Sequence, residues 1–340
     1  MLIRSKAPLR LGLAGGGSDV SPYSDIYGGA ILNATISMYA YATIEPTDNG
    51  KIVLNALDRG QRIELPSIPE LERNGELDLL KGIYNRVVKD SVKKPLSFEL
   101  STYVDAPPGS GLGSSSTLAI AILGAFSEWL NLPLGEYDMA HLAYQVERID
   151  LGMSGGKQDQ YAATFGGVNF MEFSANEKVV VNPLRIKDQV LQELSVSLVL
   201  YYTETSRTSS QIIEKQRRNV MDNNMKSVEA MHKIKEQALL MKEALLKGEL
   251  NKIGEIMDFG WQNKKKMADG ITNPWIDEVY EAAVKAGATG GKVSGAGGGG
   301  FMFFYCPGLT RYKVVKTLEK FGGGVKRFEF TKHGLKTWII

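Results

Sequence analysis

Apolar and polar positions alternate along the first half of the chain and switch to helical spacing in the third quarter. Arg4–Ala14 alternates loosely and reads as a strand. Ala30–Glu45 is rich in β-branched and aromatic residues, among them Ile31, Thr35, Ile36, Tyr39, Tyr41 and Ile44, and reads as one or two strands broken near Ser37. Leu77–Lys89 carries Leu77, Leu80, Tyr84 and Val87 on one helical face, and Leu96–Val104 reads as a strand. Leu118–Leu130 is apolar nearly all round, which predicts a buried helix, and Asp138–Ile149 predicts a second. Strands are expected again at Val168–Met171, Val179–Val181 and Leu194–Tyr202. From Ser206 to about Met267 the chain is charged, rich in methionine and free of proline. Met225, Val228, Met231, Ile234, Leu239 and Leu245 predict two or three helices there. Pro274 stands at the first position of another helix that runs to Ala286. The remainder reads as strand (Phe301–Tyr305), helix (Arg311–Phe321) and two strands (Val325–Phe330, Leu335–Ile340).

This order predicts an α+β protein of two lobes, residues 1–185 and 186–340. A length of 340 residues suits two domains, and 43% hydrophobic with 23% charged residues is the composition of an ordinary globular chain. The formal net charge is only +2, which argues against nucleic acid or a membrane surface as the main partner. A single cysteine, Cys306, excludes an internal disulfide and fits a reducing compartment. The opening MLIRSKAPLRLG lacks the apolar stretch of a signal peptide. No apolar run reaches the roughly 18 residues of a membrane span. A cytoplasmic location is therefore expected, and no feature of the sequence sets an oligomeric state.

Glycine departs from the average. The chain has 37, where usual usage would give about 24. They gather at Gly12–Gly17, Gly109–Gly113, Gly152–Gly167 and Gly287–Gly300. Within the second cluster, PPGSGLGSSSTLAIAIL (Pro107–Leu123) leads from a strand through a glycine-serine loop into the buried helix. A helix start carries unpaired N–H groups and partial positive charge. Glycines at Gly109, Gly111 and Gly113 let a phosphate approach those groups, and Ser110, Ser114, Ser115 and Ser116 add hydroxyls that can donate or hold Mg²⁺. An ordinary serine cap is the plainer reading, but three alternating glycines and a serine triplet exceed what a cap needs.

Other motifs fit less well. GxxxxGK[ST] is absent. Gly295–Gly300 satisfies GxGxxG, but a strand follows it where a dinucleotide site needs a helix. Gly152–Gly156 satisfies GxSxG, yet follows a helix-like segment, in a chain with only His141, His232 and His333 as candidate bases. Asp258–Gly260 reads DFG but sits in a helical run, and no HRD exists. Gly287–Gly300 itself is either a structural hairpin or a second wall of the phosphate site. Glu147, Asp150 and Asp159 are the acid and base candidates, although any one carboxylate of this kind is more often a solvated surface charge. Asp159, in the glycine-flanked polar turn SGGKQDQ, has the context most suggestive of function.

Three motifs together resemble the GHMP kinases, in that family's order: KAPLRLGLAGGGSD (Lys6–Asp19), PPGSGLGSSS (Pro107–Ser116) and GGKVSGAGGGGF (Gly290–Phe301). Within the family, AGGGSD, Tyr202–Ser210 and Ile271–Lys292 are similar to the branch of sugar-1-kinases that act on a heptose 7-phosphate, and fucose-type kinases share parts of these segments.

The resemblance implies an N-terminal lobe like ribosomal protein S5 and a ferredoxin-like C-terminal lobe with helical insertions, with ATP between them. It implies Mg²⁺ at Ser115 and Glu147, and Asp159 as the base for a sugar hydroxyl. Arg10 would pair with that aspartate and the γ-phosphate, and Asp19 would hold sugar hydroxyls. Gly17, Ser18, Gly156, Gly297 and Gly298 are expected beside the substrate; Arg207, in the polar turn after a buried strand, is either the cation for a substrate phosphate or a solvated helix-start arginine. Lys157 departs from the apolar residue of galactokinases, and AGGGSD replaces their GEHTD.

Overall fold

Strand β2 (Gly29–Pro46) is the hub of the larger sheet. Strand β1 (Ile3–Ala14) runs antiparallel along one side of it. On its other side, residues 29–34 pair with β6 (Val168–Phe173) and residues 40–46 with β5 (Phe98–Val104). The change of partner falls around Ser37, where the sequence suggests a break. The strand is continuous there but bulged: Pro8 faces Tyr39 and Arg10 faces Thr35, so β2 carries extra residues opposite Leu9. The Ser37 N–H turns away to the Glu329 carbonyl at 2.8 Å. Bulges re-aim neighbouring side chains, and this one immediately precedes Arg10.

The computed structural model describes residues 1–205 and 209–340. Helix α1 (Tyr23–Tyr27) lies between β1 and β2, and β3 (Lys51–Ala56) and β4 (Gln61–Pro66) form a hairpin after them. Helix α2 (Asp78–Val87) precedes β5. Helices α3 (Ser114–Leu130), α4 (Glu136–Tyr144) and α5 (Gln158–Phe165) lead to β6 and β7 (Val179–Pro183). The second half contains α6 (Asp188–Ser197), β8 (Leu198–Tyr202), α7 (Ser209–Met221), α8 (Met225–Lys247) and α9 (Ile253–Lys264). It ends with α10 (Pro274–Ala286), β9 (Gly290–Val293), β10 (Phe301–Tyr305), α11 (Arg311–Leu318), β11 (Gly324–Lys326) and β12 (Lys336–Ile339).

The larger sheet runs β12-β1-β2-β5-β3-β4, with β6 and β7 branching from β2; the smaller runs β11-β8-β10-β9. β12 returns from the end of the chain to pair with β1, so the first sheet draws on both ends. β8 and β10 are apolar on both faces because both faces are covered. Leu198, Leu200, Phe301 and Phe303 join the core of the first lobe, and Val199, Tyr201, Met302 and Phe304 join the core under α10 and α11. One continuous core thus holds the two lobes against each other. Helix α3, apolar all round as its sequence predicts, is buried from Ser116 to Phe126.

Some boundaries differ from the sequence expectation. Leu194 belongs to α6, where Val190 and Leu194 bury one face four residues apart, and the strand starts only at Leu198. Of Val325–Phe330 only the beginning pairs, as β11, and Phe330 makes an isolated bridge to Ile36. Asp159, expected in a glycine-flanked polar turn, stands in the first turn of α5. The helical stretch Asp138–Ile149 is α4 followed by a π-helical turn, Gln145–Asp150, in which the Leu151 N–H reaches back five residues to the Val146 carbonyl at 3.0 Å.

Candidate active site

The glycine-serine loop and the C-terminal glycine run lie back to back. A Cβ on Gly111, whose φ is +80°, would come within 2.4 Å of the Ser294 carbonyl oxygen. Ser294 Oγ donates to the Gly111 carbonyl at 2.8 Å, and the Phe301 N–H to the Ser110 carbonyl at 2.9 Å. The run is therefore both of the things its sequence allows: a β9–β10 hairpin and a wall beside the phosphate loop. Helix α3 begins at Ser114 with no side chain capping it, so its first N–H groups stay open to the cleft.

The cleft in front of these loops holds about 490 Å³, a volume suited to small ligands. At its centre Arg10, on β1, meets Asp159, on α5. Arg10 Nε and Nη2 both lie 2.7 Å from Asp159 Oδ1, and Nη1 donates to the Gly111 carbonyl at 2.6 Å. Asp159 Oδ2 has no hydrogen bond among the described residues and points toward Gly113, whose Cβ would lie 3.2 Å away.

Asp19 is buried beside this pair. Its Oδ2 accepts from the N–H groups of Lys157 and Gln158 at 2.9 and 3.1 Å, and its Oδ1 from that of Gly17 at 3.3 Å. Burial, then the charge of Asp159, push its carboxyl above the usual range, against the pull of backbone N–H groups and Arg10. The approach of Gly156 is obligatory: a Cβ there would stand 1.9 Å from Asp19 Oδ2.

Glu147 sits in the π turn and is 0% exposed. Ser115 Oγ donates to its Oε1 at 2.9 Å and Gln160 Nε2 to its Oε2 at 2.6 Å, with Arg148 Nη1 3.7 Å from Oε1. A π turn rotates a residue off the regular helical face, a device common at functional sites. Among the described residues, no three His, Cys, Asp or Glu side chains gather as a metal cage.

Of the residues expected at the site, Arg10, Gly17, Asp19, Gly109, Gly111, Gly113, Ser114, Ser115, Ser116, Glu147, Gly156 and Asp159 line the cleft. Others lie behind it. Pro107 is exposed outside the cleft, while Ser110 and Leu112 are buried beneath the loop. Ser18 Oγ donates to the carbonyls of Gly15 and Ala30, tying the turn. Gly297 packs on Ile271, and the Gly298 N–H donates to the Ile271 carbonyl at 2.8 Å. Arg207 lies outside the described residues. Asp150 pairs instead with Arg86 at 3.0 Å.

Two lysines on the cleft wall lie outside the residues expected from sequence. Lys264 ends α9, is 3% exposed, and donates to the Gly295 carbonyl at 2.6 Å, with that of Gly16 at 3.5 Å. Lys292, on β9, is 4% exposed and donates to the Gly12 carbonyl at 2.9 Å. Lys292 lies inside the third motif and carried a signal. Lys264 stands in the run NKKKM, where nothing distinguishes it from its neighbours.

Open helix-start N–H groups, with Arg10, Lys264 and Lys292 lining the same cleft, suit a chain of phosphates, and an aspartate next to them suits a hydroxyl. The fold and cleft are those of a two-lobed small-molecule kinase. The chain belongs to the GHMP kinases: residues 78–167 match the GHMP kinase N-terminal domain and residues 241–323 the GHMP kinase C-terminal domain. It is 50% identical over 338 residues to a D-glycero-alpha-D-manno-heptose 7-phosphate kinase of Campylobacter jejuni, covering 99% of each chain. The crystal structure of a D-glycero-D-manno-heptose 1-phosphate kinase from Bacteroides thetaiotaomicron is 50% identical and superposes with a TM-score of 0.84 over 99% of each chain. Galactokinase of Lactococcus lactis, 19% identical, shares the fold with a TM-score of 0.79 over 98% of this chain and 95% of its own. ATP is the phosphoryl donor of this family. No helix among the described residues is long and apolar enough to cross a membrane.

Proposed function

We propose that the protein transfers the γ-phosphoryl group of ATP to the anomeric C1 hydroxyl of D-glycero-D-manno-heptose 7-phosphate, giving the 1,7-bisphosphate, a precursor for nucleotide-activated heptose. The observation that carries this reading is the 50% identity over 99% of both chains with the Campylobacter D-glycero-alpha-D-manno-heptose 7-phosphate kinase. The reaction's setting is the cytoplasm, where ATP is available and the thiol of Cys306 stays reduced.

The acceptor oxygen attacks the γ-phosphorus, ADP leaves, and the hydroxyl proton passes to Asp159. The Oδ2 atom is the acceptor, because Oδ1 is committed to Arg10 at 2.7 Å. Phosphoryl transfer has a loose transition state, so the enzyme's part is mainly positioning and charge neutralisation. Arg10 orients the base and stands against the developing charge. The helix-start N–H groups behind Gly109–Ser116 hold the phosphates. Asp19, with its lone pairs fixed by three N–H groups, orients sugar hydroxyls. In this reading ATP and the base fall to residues 1–185 and the closing wall to glycine-run residues beyond 186.

Ser115 and Glu147 fit Mg²⁺. Their 2.9 Å pairing offers one hydroxyl and one carboxylate oxygen, few protein ligands, as suits an ion that keeps waters and phosphate oxygens. When bound, Mg²⁺ would supply positive charge to the phosphate oxygens.

ADP release measured with heptose 7-phosphate, heptose 1-phosphate, free heptose, fucose, galactose and mannose tests the reading. Heptose 7-phosphate is expected to give the highest kcat/KM. Preferred turnover of any other acceptor overturns it. The heptose 1-phosphate arm is needed because the Bacteroides relative carries that substrate in its name.

A further inference from the structure

Two buried ammonium groups on the cleft wall have no negative partner. Neither Lys264 nor Lys292 is in an ion pair among the described residues. Three carboxylates line the same cleft: Asp159 is taken by Arg10, Glu147 by Ser115, Gln160 and Arg148, and Asp19 by three backbone N–H groups. Among the described residues Lys264 is held by the carbonyl oxygens of Gly16 and Gly295, and Lys292 by that of Gly12, with the Phe303 ring centroid 5.8 Å away. Carbonyl dipoles orient an ammonium but do not neutralise it, and a buried charge without a counter-charge is costly.

The position of Lys264 indicates which anion is missing. Its Nζ lies 2.6 Å from the carbonyl oxygen of Gly295, whose own Cβ would stand 2.7 Å from Gly111 Cα in the phosphate loop. On its other side it approaches Gly16, next to Gly17, whose N–H holds Asp19. The ammonium thus stands between the loop that cradles the donor phosphates and the turn that orients the acceptor. A Cβ on Gly16 would lie 3.6 Å from Lys264 Nζ and 4.0 Å from Lys292 Nζ, so both cations converge on one point of the wall.

We propose that Lys264, with Lys292 behind it, is a further catalytic residue that contacts the γ-phosphoryl group as it moves from ADP to the acceptor oxygen. The inference rests on the kinase reading above. Lys264 lines the same cleft as Arg10 and donates from its remaining N–H groups to the phosphoryl oxygens. Their charge is greatest during transfer, so the contact lowers the barrier as well as strengthening binding. Burial, with Arg10 nearby, draws Lys264 down to about 8, against the pull of Asp19, and a bound phosphate supplies the missing counter-charge.

The test compares equilibrium binding of ADP with that of the non-hydrolysable triphosphate analogue AMPPNP, with kcat measured alongside. For Lys264→Met, affinity for AMPPNP is expected to fall about tenfold or more while ADP affinity stays within about twofold. The kcat should fall on the order of 10²-fold, as when one transition-state donor is removed. Lys264→Arg should recover part of the AMPPNP preference and part of kcat. A lysine that only staples the loops predicts equal losses of ADP and AMPPNP with a lower melting temperature, and that result overturns the proposal. So does a Lys264→Met enzyme with unchanged AMPPNP affinity and kcat within about threefold of the unaltered protein. If Lys264→Met does not fold, the same comparison on Lys264→Gln decides. The two claims separate cleanly: unaltered protein that turns over no acceptor refutes the kinase reading, whereas loss of γ-phosphate discrimination in the variants is read without any acceptor.

Discussion

Arg10 and Asp159 lie 149 residues apart in the chain and meet with two guanidinium nitrogens on a single carboxylate oxygen, each at 2.7 Å. The geometry leaves Asp159 Oδ2 without a hydrogen bond among the described residues, beside Gly113 at the cleft. Asp159→Asn removes the proton acceptor, and Arg10→Ala removes the group that holds it in register. Each variant is expected to lose on the order of 10²-fold or more in kcat, the usual range for a general base, while ATP still binds. Coupled ADP release and equilibrium ATP binding check this. Near-normal turnover of either variant removes that residue from the catalytic set.

Gly156 separates acceptor binding from donor binding. An added methyl would stand 1.9 Å from Asp19 Oδ2 and force the carboxylate off its three N–H donors. Gly156→Ala should raise KM for the sugar about tenfold or more, the scale of one broken buried hydrogen bond, with KM for ATP changed far less. Equal effects on both substrates would show that Asp19 does not face the acceptor.

Ser115→Ala and Glu147→Gln address the metal. If the pair holds Mg²⁺, each variant should need about tenfold more Mg²⁺ for half-maximal rate at fixed ATP, the scale seen when ligand support is lost. A titration of rate against free Mg²⁺ measures this. An unshifted midpoint would assign Ser115 and Glu147 to packing alone.

Lys264 predicts the pH dependence of stability in the ligand-free protein. Its folded value, about 8, lies below the ordinary 10.5. Between those values the unfolded chain holds the proton and the folded protein does not, so this group's contribution to stability rises with pH across that window. Below about pH 8 the penalty for burying the charge is fully present. Lys292, lowered well below its usual value by burial and then by Lys264 and Arg10, adds with the same sign. The melting advantage of Lys264→Met over the unaltered protein should therefore shrink from pH 7.5 to pH 10. A constant gap contradicts the assignment.

How much of this was legible in the sequence depends on the kind of signal. The buried helix α3 and the insertion helices α7, α8 and α9 repeat an apolar pattern over many residues, and both regions are found where the pattern puts them. The glycine loops were legible because few other residues tolerate such close backbone approach. The α5 start was not, because Gln158–Phe165 is short and polar at its beginning, and its role as a donor of two N–H groups to Asp19 exists only once β1 is folded against it. Lys264 was invisible for a similar reason. Its function comes from burial against Gly16 and Gly295, 248 and 31 residues away, and not from any local pattern.

The central claim is transfer to the anomeric hydroxyl of a heptose 7-phosphate. Phosphorus NMR of the product formed from ATP and heptose 7-phosphate tests it most directly. A second phosphate monoester signal coupled to the anomeric proton, appearing in step with ADP, is expected. A new phosphate coupled to any other position, or no second sugar phosphate from folded protein supplied with ATP, would contradict it.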